Sequence, residues 1–124
     1  PIKTIFLDRD GVINKEVNYV YKIDDFEFIE GIFEACIHFK SLGYKIIVVT
    51  NQSGIARGYY SENDYQMLSN WMKNQFQTKN IDILDIFRAS SCLAPIVDEA
   101  IEAKVACIWT QLDIINNDVM LTIK

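Results

Sequence analysis

Apolar residues along the chain fall into short runs that end at polar clusters. Ile2-Lys3-Thr4-Ile5-Phe6-Leu7 runs into Asp8, and Tyr44-Lys45-Ile46-Ile47-Val48-Val49 runs into Thr50. Both are rich in β-branched residues and too short for helices, the pattern of buried parallel strands. Between them Ile32, Phe33, Ala35, Cys36, Phe39 and Leu42 recur at helical spacing, with Gly43 as the C-terminal stop. Ser61-Glu62-Asn63-Asp64 reads as a capping box with Asp in the last place. It opens a helix whose Tyr65, Leu68, Trp71, Met72 and Phe76 form one apolar stripe. A third strand is predicted over residues 81–87, a helix over about 95–103 and a fourth strand over 105–109. Residues 114–124 read as the start of one more helix, with no fifth strand.

This alternation predicts the α/β class, as a small Rossmann-like three-layer sandwich of about four parallel strands with helices on both faces. It is expected to form a single domain over residues 1–124. Chemistry in such sheets gathers at the carboxyl ends of the strands, which puts Asp8, Thr50, Arg88 and Asp113 on one edge. A sheet of four strands also leaves an edge for a partner, so a homo-oligomer is expected.

Composition narrows the function classes. Half of the 124 residues are hydrophobic and 23% are charged, enough apolar content for a core. The formal charge of −5, with no basic block, argues against binding nucleic acid or anionic lipid. No apolar run reaches the ~18 residues of a membrane span, and no signal-peptide-like stretch is read ahead of the first strand. Cys36, Cys92 and Cys107 are spread apart, which speaks against a disulfide framework and for a reducing, cytoplasmic setting.

Candidate chemistry begins at Asp8-Arg9-Asp10-Gly11-Val12-Ile13-Asn14. Two carboxylates two residues apart at a strand end repel unless a cation lies between them. Carboxylates plus water suit Mg²⁺, which takes few protein ligands and keeps waters for substrate phosphate. One carboxylate can attack phosphorus while the other moves the leaving-group proton. The competing reading is a turn rich in Asp and Gly that only caps a strand. The second element, Thr50-Asn51-Gln52-Ser53-Gly54-Ile55-Ala56-Arg57-Gly58-Tyr59, also follows a buried strand. Its hydroxyls, amide and backbone N–H groups can surround a tetrahedral oxyanion, and Arg57 can reach a second phosphate.

Together DRDGVIN and VTNQSGIARGYYS closely resemble the haloacid dehalogenase superfamily of phosphatases, in its branch of sugar bisphosphate and histidinol phosphatases. Asn18-Tyr19-Val20 and Phe26-Glu27-Phe28-Ile29-Glu30-Gly31 fit that branch, and the resemblance covers about residues 2–80. It implies Mg²⁺-dependent hydrolysis of a phosphorylated small molecule, similar to a heptose 1,7-bisphosphate. Asp8 would be the nucleophile and a metal ligand. Asp10 would be the general acid/base and bind the metal through its carbonyl. Thr50 and Asn51 would hold the phosphoryl group. Gly11, Glu16, Val17, Asn18, Tyr19, Gln52 and Ser53 would lie against the substrate.

The rear departs from that pattern. The branch's Arg-Lys-Pro segment is missing, which leaves Arg88 and Lys104 as stand-in cations. Ala94 stands two residues after Cys92 where a zinc loop's Cys-x-His pair would have His, so no zinc is expected. Residues 81–117 are instead similar to the later part of small coenzyme-A-binding Rossmann domains, with IVDEAI and WTQLDIINN carrying the resemblance. The chain reads as a hybrid, a phosphatase-like front over 1–80 and a Rossmann-like rear over 81–124. Asp113 stands where that second family has Gly, and reads either as a Mg²⁺ ligand or as a surface acid. Two alternatives to a slow phosphatase follow: a non-catalytic coenzyme-A or nucleotide module, or a recombined fold without activity. Against the first, the strand-one turn lacks the Gly-rich diphosphate cradle.

Overall fold

The computed structural model describes residues 3–89, 106–115 and 118–123, with side chains over residues 4–88. Strands β1 (Lys3–Asp8), β2 (Lys45–Asn51), β3 (Ile83–Ala89), β4 (Ala106–Ile115) and β5 (Asp118–Ile123) make one sheet in the order β3-β2-β1-β4-β5. The first four are parallel, as the strand–helix alternation predicts. Helices α1 (Ile32–Ser41) and α3 (Glu62–Gln77) are the two long crossovers, and α2 (Ser53–Ala56) is one short turn after β2. Among the described residues no helix is long and apolar enough to cross a membrane.

Side-chain alternation explains the layering. Ile5 and Leu7 of β1 share a face with Ile46 and Val48 of β2 and Ile83 of β3. That face packs against Ile32, Cys36 and Phe39 of α1 and Leu68, Met72 and Phe76 of α3. The two helices lie side by side on it, with the Phe33 and Phe76 rings 5.1 Å apart. Phe6 and Val49 point to the opposite face and are also buried. The helix expected over 95–103 falls outside the described residues.

The capping box at the start of α3 forms as read. Ser61 Oγ accepts from the Asp64 N–H at 3.0 Å, and Asp64 Oδ2 accepts from the Ser61 N–H at 2.9 Å. One expectation fails at the carboxyl end. The fourth strand does not stop at Trp109 but continues to Ile115, and residues 118–123 form a fifth strand rather than a helix. β5 runs antiparallel to β4, from the Ile115–Asp118 pair to the Thr110–Ile123 pair. The reason is in the residues: Val119, Leu121, Thr122 and Ile123 favour extended backbone, and two asparagines separate the strands in sequence.

Strand order sets where a site can form. From β1 the sheet grows to β2 and β3 on one side and to β4 on the other. Loops leaving β1 and its neighbours therefore diverge at the carboxyl end of β1, opening the crevice in which doubly wound sheets bind ligands.

Candidate active site

Residues 9–14 turn tightly as they leave β1. The Arg9 N–H still donates to the Val49 carbonyl, extending the sheet by one bond at 3.1 Å. The Arg9 carbonyl then accepts from the N–H groups of Val12, Ile13 and Asn14, at 3.2, 2.8 and 3.2 Å. Closing the chain round one carbonyl puts Gly11 at φ +86°, a left-handed conformation that a side chain resists. Val12 and Ile13 anchor the turn in the core.

The turn aims Asp10 into a cleft of about 410 Å³. Of the residues expected in the site, Asp10, Glu16, Val17, Asn18, Tyr19, Asn51, Gln52 and Ser53 line it, joined by Arg9, Val20 and Tyr60. Two strand-end loops, distant in sequence, thus share one cavity. Asp10 Oδ1 accepts from Arg9 Nη2 at 3.1 Å and from Asn14 Nδ2 at 3.0 Å, so the carboxylate is gripped from two directions. Asp8 is half-buried at the end of β1, level with Val49 of β2.

The opposite wall has its own support. Thr50 is buried beneath the cleft, and its Oγ1 accepts from Gln52 Nε2 at 2.6 Å. Gln52 Oε1 in turn accepts from the Tyr60 hydroxyl. Burial pushes the Tyr60 phenol above its ordinary pKa, with Asp10 adding to the rise and Arg9 opposing it. The phenol therefore stays protonated and works as a donor. Tyr60 also stacks on Tyr21, with ring centroids 5.2 Å apart and planes 6° apart. Arg57 reaches back from the end of α2, its Nη1 donating to the Tyr19 hydroxyl at 2.9 Å.

Arg88 is placed elsewhere. It pairs with Glu62 at 2.5 Å, lies 5.3 Å from the Tyr65 ring centre, and lines a separate cavity between α3 and β3. Asp113 lies within β4, paired with Met120 of β5. The β1–β4 register ends at Leu7–Thr110, so the Asp113 backbone lies beyond the level of Asp8 toward the carboxyl end. Lys104 and Cys92 fall outside the described residues.

Sequence reasoning passed over Arg9 and Asn14 as site residues, and took Tyr60 only as one of four loop tyrosines, with Tyr19, Tyr21 and Tyr59, of which some line the mouth of the site. Asn14 carried a sequence signal only in closing the DRDGVIN motif; the structure adds that it is fully buried. Tyr60 could be told from Tyr59 only by its neighbours in space. Among the described residues no three His, Cys, Asp or Glu side chains cluster for a metal ion. The strand end offers oxygen donors from Asp8 and Asp10, a hard and sparse set that suits Mg²⁺ and leaves coordination for water and phosphate.

Known proteins match the chain in two ways. A sequence profile of the family described as CoA binding domain matches residues 33–124. The D-glycero-alpha-D-manno-heptose-1,7-bisphosphate 7-phosphatase of Photorhabdus laumondii is 58% identical over 86 residues, covering 69% of this chain and 47% of that protein. The protein of the same name from Campylobacter jejuni is 53% identical over 85 residues, covering 68% of this chain and 49% of its own length. The chain thus spans about half the length of the curated relatives it matches. The D,D-heptose 1,7-bisphosphate phosphatase from Burkholderia thailandensis superposes with a TM-score of 0.60 at 30% identity, over 85% of this chain and 64% of that one. The B. bronchiseptica protein of that description, complexed with magnesium and phosphate, superposes with a TM-score of 0.73 over 84% of this chain and 65% of that one. At 24% identity this last likeness speaks for the fold alone.

Proposed function

The chain belongs to the CoA binding domain family, whose profile spans residues 33–124, and from that premise and its phosphatase-like front we propose that it is a slow Mg²⁺-dependent phosphomonoester hydrolase. Its substrate is a sugar phosphate similar to a heptose 1,7-bisphosphate, and its setting is the cytoplasm. The observation that carries this reading is the single cleft in which Asp10, held by Arg9 and Asn14, faces Asn51, Gln52 and Ser53. A carboxylate pinned opposite amide and hydroxyl groups is what phosphoryl transfer requires, since that reaction needs positioning and charge neutralisation above all.

The chemistry assigns each group a task. An Asp8 carboxylate oxygen attacks phosphorus, and the bond from phosphorus to the sugar oxygen breaks. Asp10 gives that oxygen its proton, so the sugar leaves as a neutral alcohol. Asp10 then takes a proton from water as the water attacks the aspartyl-phosphate, releasing inorganic phosphate and restoring Asp8. Thr50 and Asn51 hold the phosphoryl oxygens, and residues 16–19 lie against the sugar. Bound Mg²⁺, held by Asp8 and Asp10, would offset the negative charge of phosphate and nucleophile. Among the described residues that line the cleft there is no Lys to match the one this phosphatase branch carries. Losing one such preorganised charge lowers rate by about 10²–10³.

The test is Mg²⁺-dependent release of phosphate from an aryl phosphate and from heptose 1,7-bisphosphate, with Asp8→Asn as comparison. Asp8→Asn is expected to remove about 10³-fold or more of the activity. Equal background in both proteins would sink the reading. The family profile favours a second reading, coenzyme-A binding by the rear of the sheet. Against it stands the first strand's exit through DRDGVIN, which lacks a Gly-rich cradle for a diphosphate.

A further inference from the structure

The middle residue of the first loop is an unusual group for its place. Arg9 is only 2% exposed, and a guanidinium is costly to bury unless its donors are met. They are only partly met: Nε and Nη1 have no hydrogen-bond partner among the described residues. Nη2 alone is engaged, and it is engaged twice. It lies 3.1 Å from Asp10 Oδ1 and 2.9 Å from the Val20 carbonyl oxygen. The Phe26 ring, its centre 5.9 Å from the guanidinium carbon, adds a cation–π contact. An apolar side chain of similar length would fill this site at lower cost. What it could not do is join Asp10 to the end of the segment that walls the cleft.

We infer that Arg9 is a positioning residue: through Nη2 it fixes the Asp10 carboxylate against the segment ending at Val20, so that the proton donor and the substrate wall are set together. The inference rests on the phosphatase reading. Asn14 grips the same oxygen at 3.0 Å, but it belongs to Asp10's own turn and cannot tie that turn to residue 20. Arg9 spans both, and its planar guanidinium, set near the Phe26 ring, holds direction as well as distance.

Leaving-group dependence isolates this role. A sugar alkoxide departs only with a proton from Asp10, whereas an activated aryl oxide departs without one. The experiment compares kcat/KM on an alkyl sugar phosphate and on an activated aryl phosphate, for wild type, Asp10→Asn, Arg9→Met and Arg9→Lys. Arg9→Met is expected to lose about 10–100-fold on the sugar phosphate and under about 3-fold on the aryl phosphate, the selectivity that Asp10→Asn also shows. Arg9→Lys, which keeps the charge and a donating nitrogen but not the planar group, is expected to recover part of the loss and stands in if Arg9→Met does not fold. Equal losses on both substrates, or no loss on either, would overturn the inference. Wild-type activity that Asp8→Asn leaves unchanged would instead remove the phosphatase reading itself, a separate result.

Discussion

Gly54 shows how far one carbon can reach at the residue scale. A Cβ there would lie 2.2 Å from Tyr60 Cε1 and 2.9 Å from Tyr19 Cδ1. Neither ring can simply swing away, because Tyr60 is held by Gln52 and Tyr21, and Tyr19 by Arg57 and Tyr59. Gly54→Ala is therefore expected to cost about 1–3 kcal/mol by overpacking, read as a lower unfolding midpoint in urea. It should also weaken substrate binding, because the displaced rings wall the cleft; an unchanged midpoint and KM would refute this. Tyr60→Phe tests the support beneath Thr50. Losing the phenol leaves Gln52 Oε1 without its donor and is expected to cost about 1–2 kcal/mol. Here kcat should fall further than the stability loss explains, because Gln52 is what orients Thr50. The sequence displays these residues without their roles. Asp8 and Asp10 stand out because two acids at a strand end repel unless a cation lies between them, even though a capping turn can also carry them. Tyr60, by contrast, is one of the four tyrosines, with Tyr19, Tyr21 and Tyr59, that the sequence places in loops. Which of them meets Gln52 depends on how two distant loops pack.

At the scale of elements, legibility follows how local the signal is. The α3 cap was readable because Ser61 and Asp64 satisfy each other's backbone within one turn. Ser61→Ala is accordingly expected to cost about 1 kcal/mol, measured as a shift in thermal midpoint with little change in kcat. The first two strands were readable because each is an apolar run ending at polar residues and largely buried on both faces, whereas β3 lies at the sheet edge with Leu84 and Phe87 exposed. The β4–β5 hairpin was not, because Leu112 to Met120 mixes acids, asparagines and aliphatics without a clean period. Only pairing with β1 on one side and β5 on the other fixes β4 as extended through Ile115. Arg88 failed for a related reason. A strand-end position says which edge a residue occupies, but Glu62, at the start of α3, draws its guanidinium to another cavity. The α1–sheet contact yields its own prediction through Cys36, which is fully buried and whose thiol burial pushes from 9.0 to about 12. The folded state holds this proton more tightly than the unfolded one. Stability from it is thus complete below about pH 9 and declines as pH rises toward 12. At pH 8.5 iodoacetamide should leave Cys36 untouched in the folded protein and label it in urea, read by peptide mass. Equal labelling in both states would contradict the burial.

At the scale of the whole molecule, one sheet carries the profile of one family and a likeness to relatives of another, and the sheet explains why it can. Both build outward from a central parallel strand, so a crossover from one joins the other without changing strand order. The sheet does not transfer chemistry, because function in these folds resides in the strand-end loops. Here the loops after β1 and β2 carry carboxylates, amides and hydroxyls, whereas a dinucleotide or coenzyme cradle needs glycines at the first of them. Ligand-induced stabilisation separates the two, since whatever binds the folded state raises its stability by RT ln(1 + [L]/Kd). At about 100 times Kd this amounts to roughly 2.7 kcal/mol, a shift of several degrees for a chain of this size. Inorganic phosphate with Mg²⁺ is expected to raise the thermal midpoint together more than either does alone, because each offsets charge that the other brings to Asp8 and Asp10. Coenzyme A at the same concentration should leave the midpoint where it is. A shift with coenzyme A and none with Mg²⁺ and phosphate would move the working site to the rear strands, and the acids at the end of β1 would then be a turn that caps a strand.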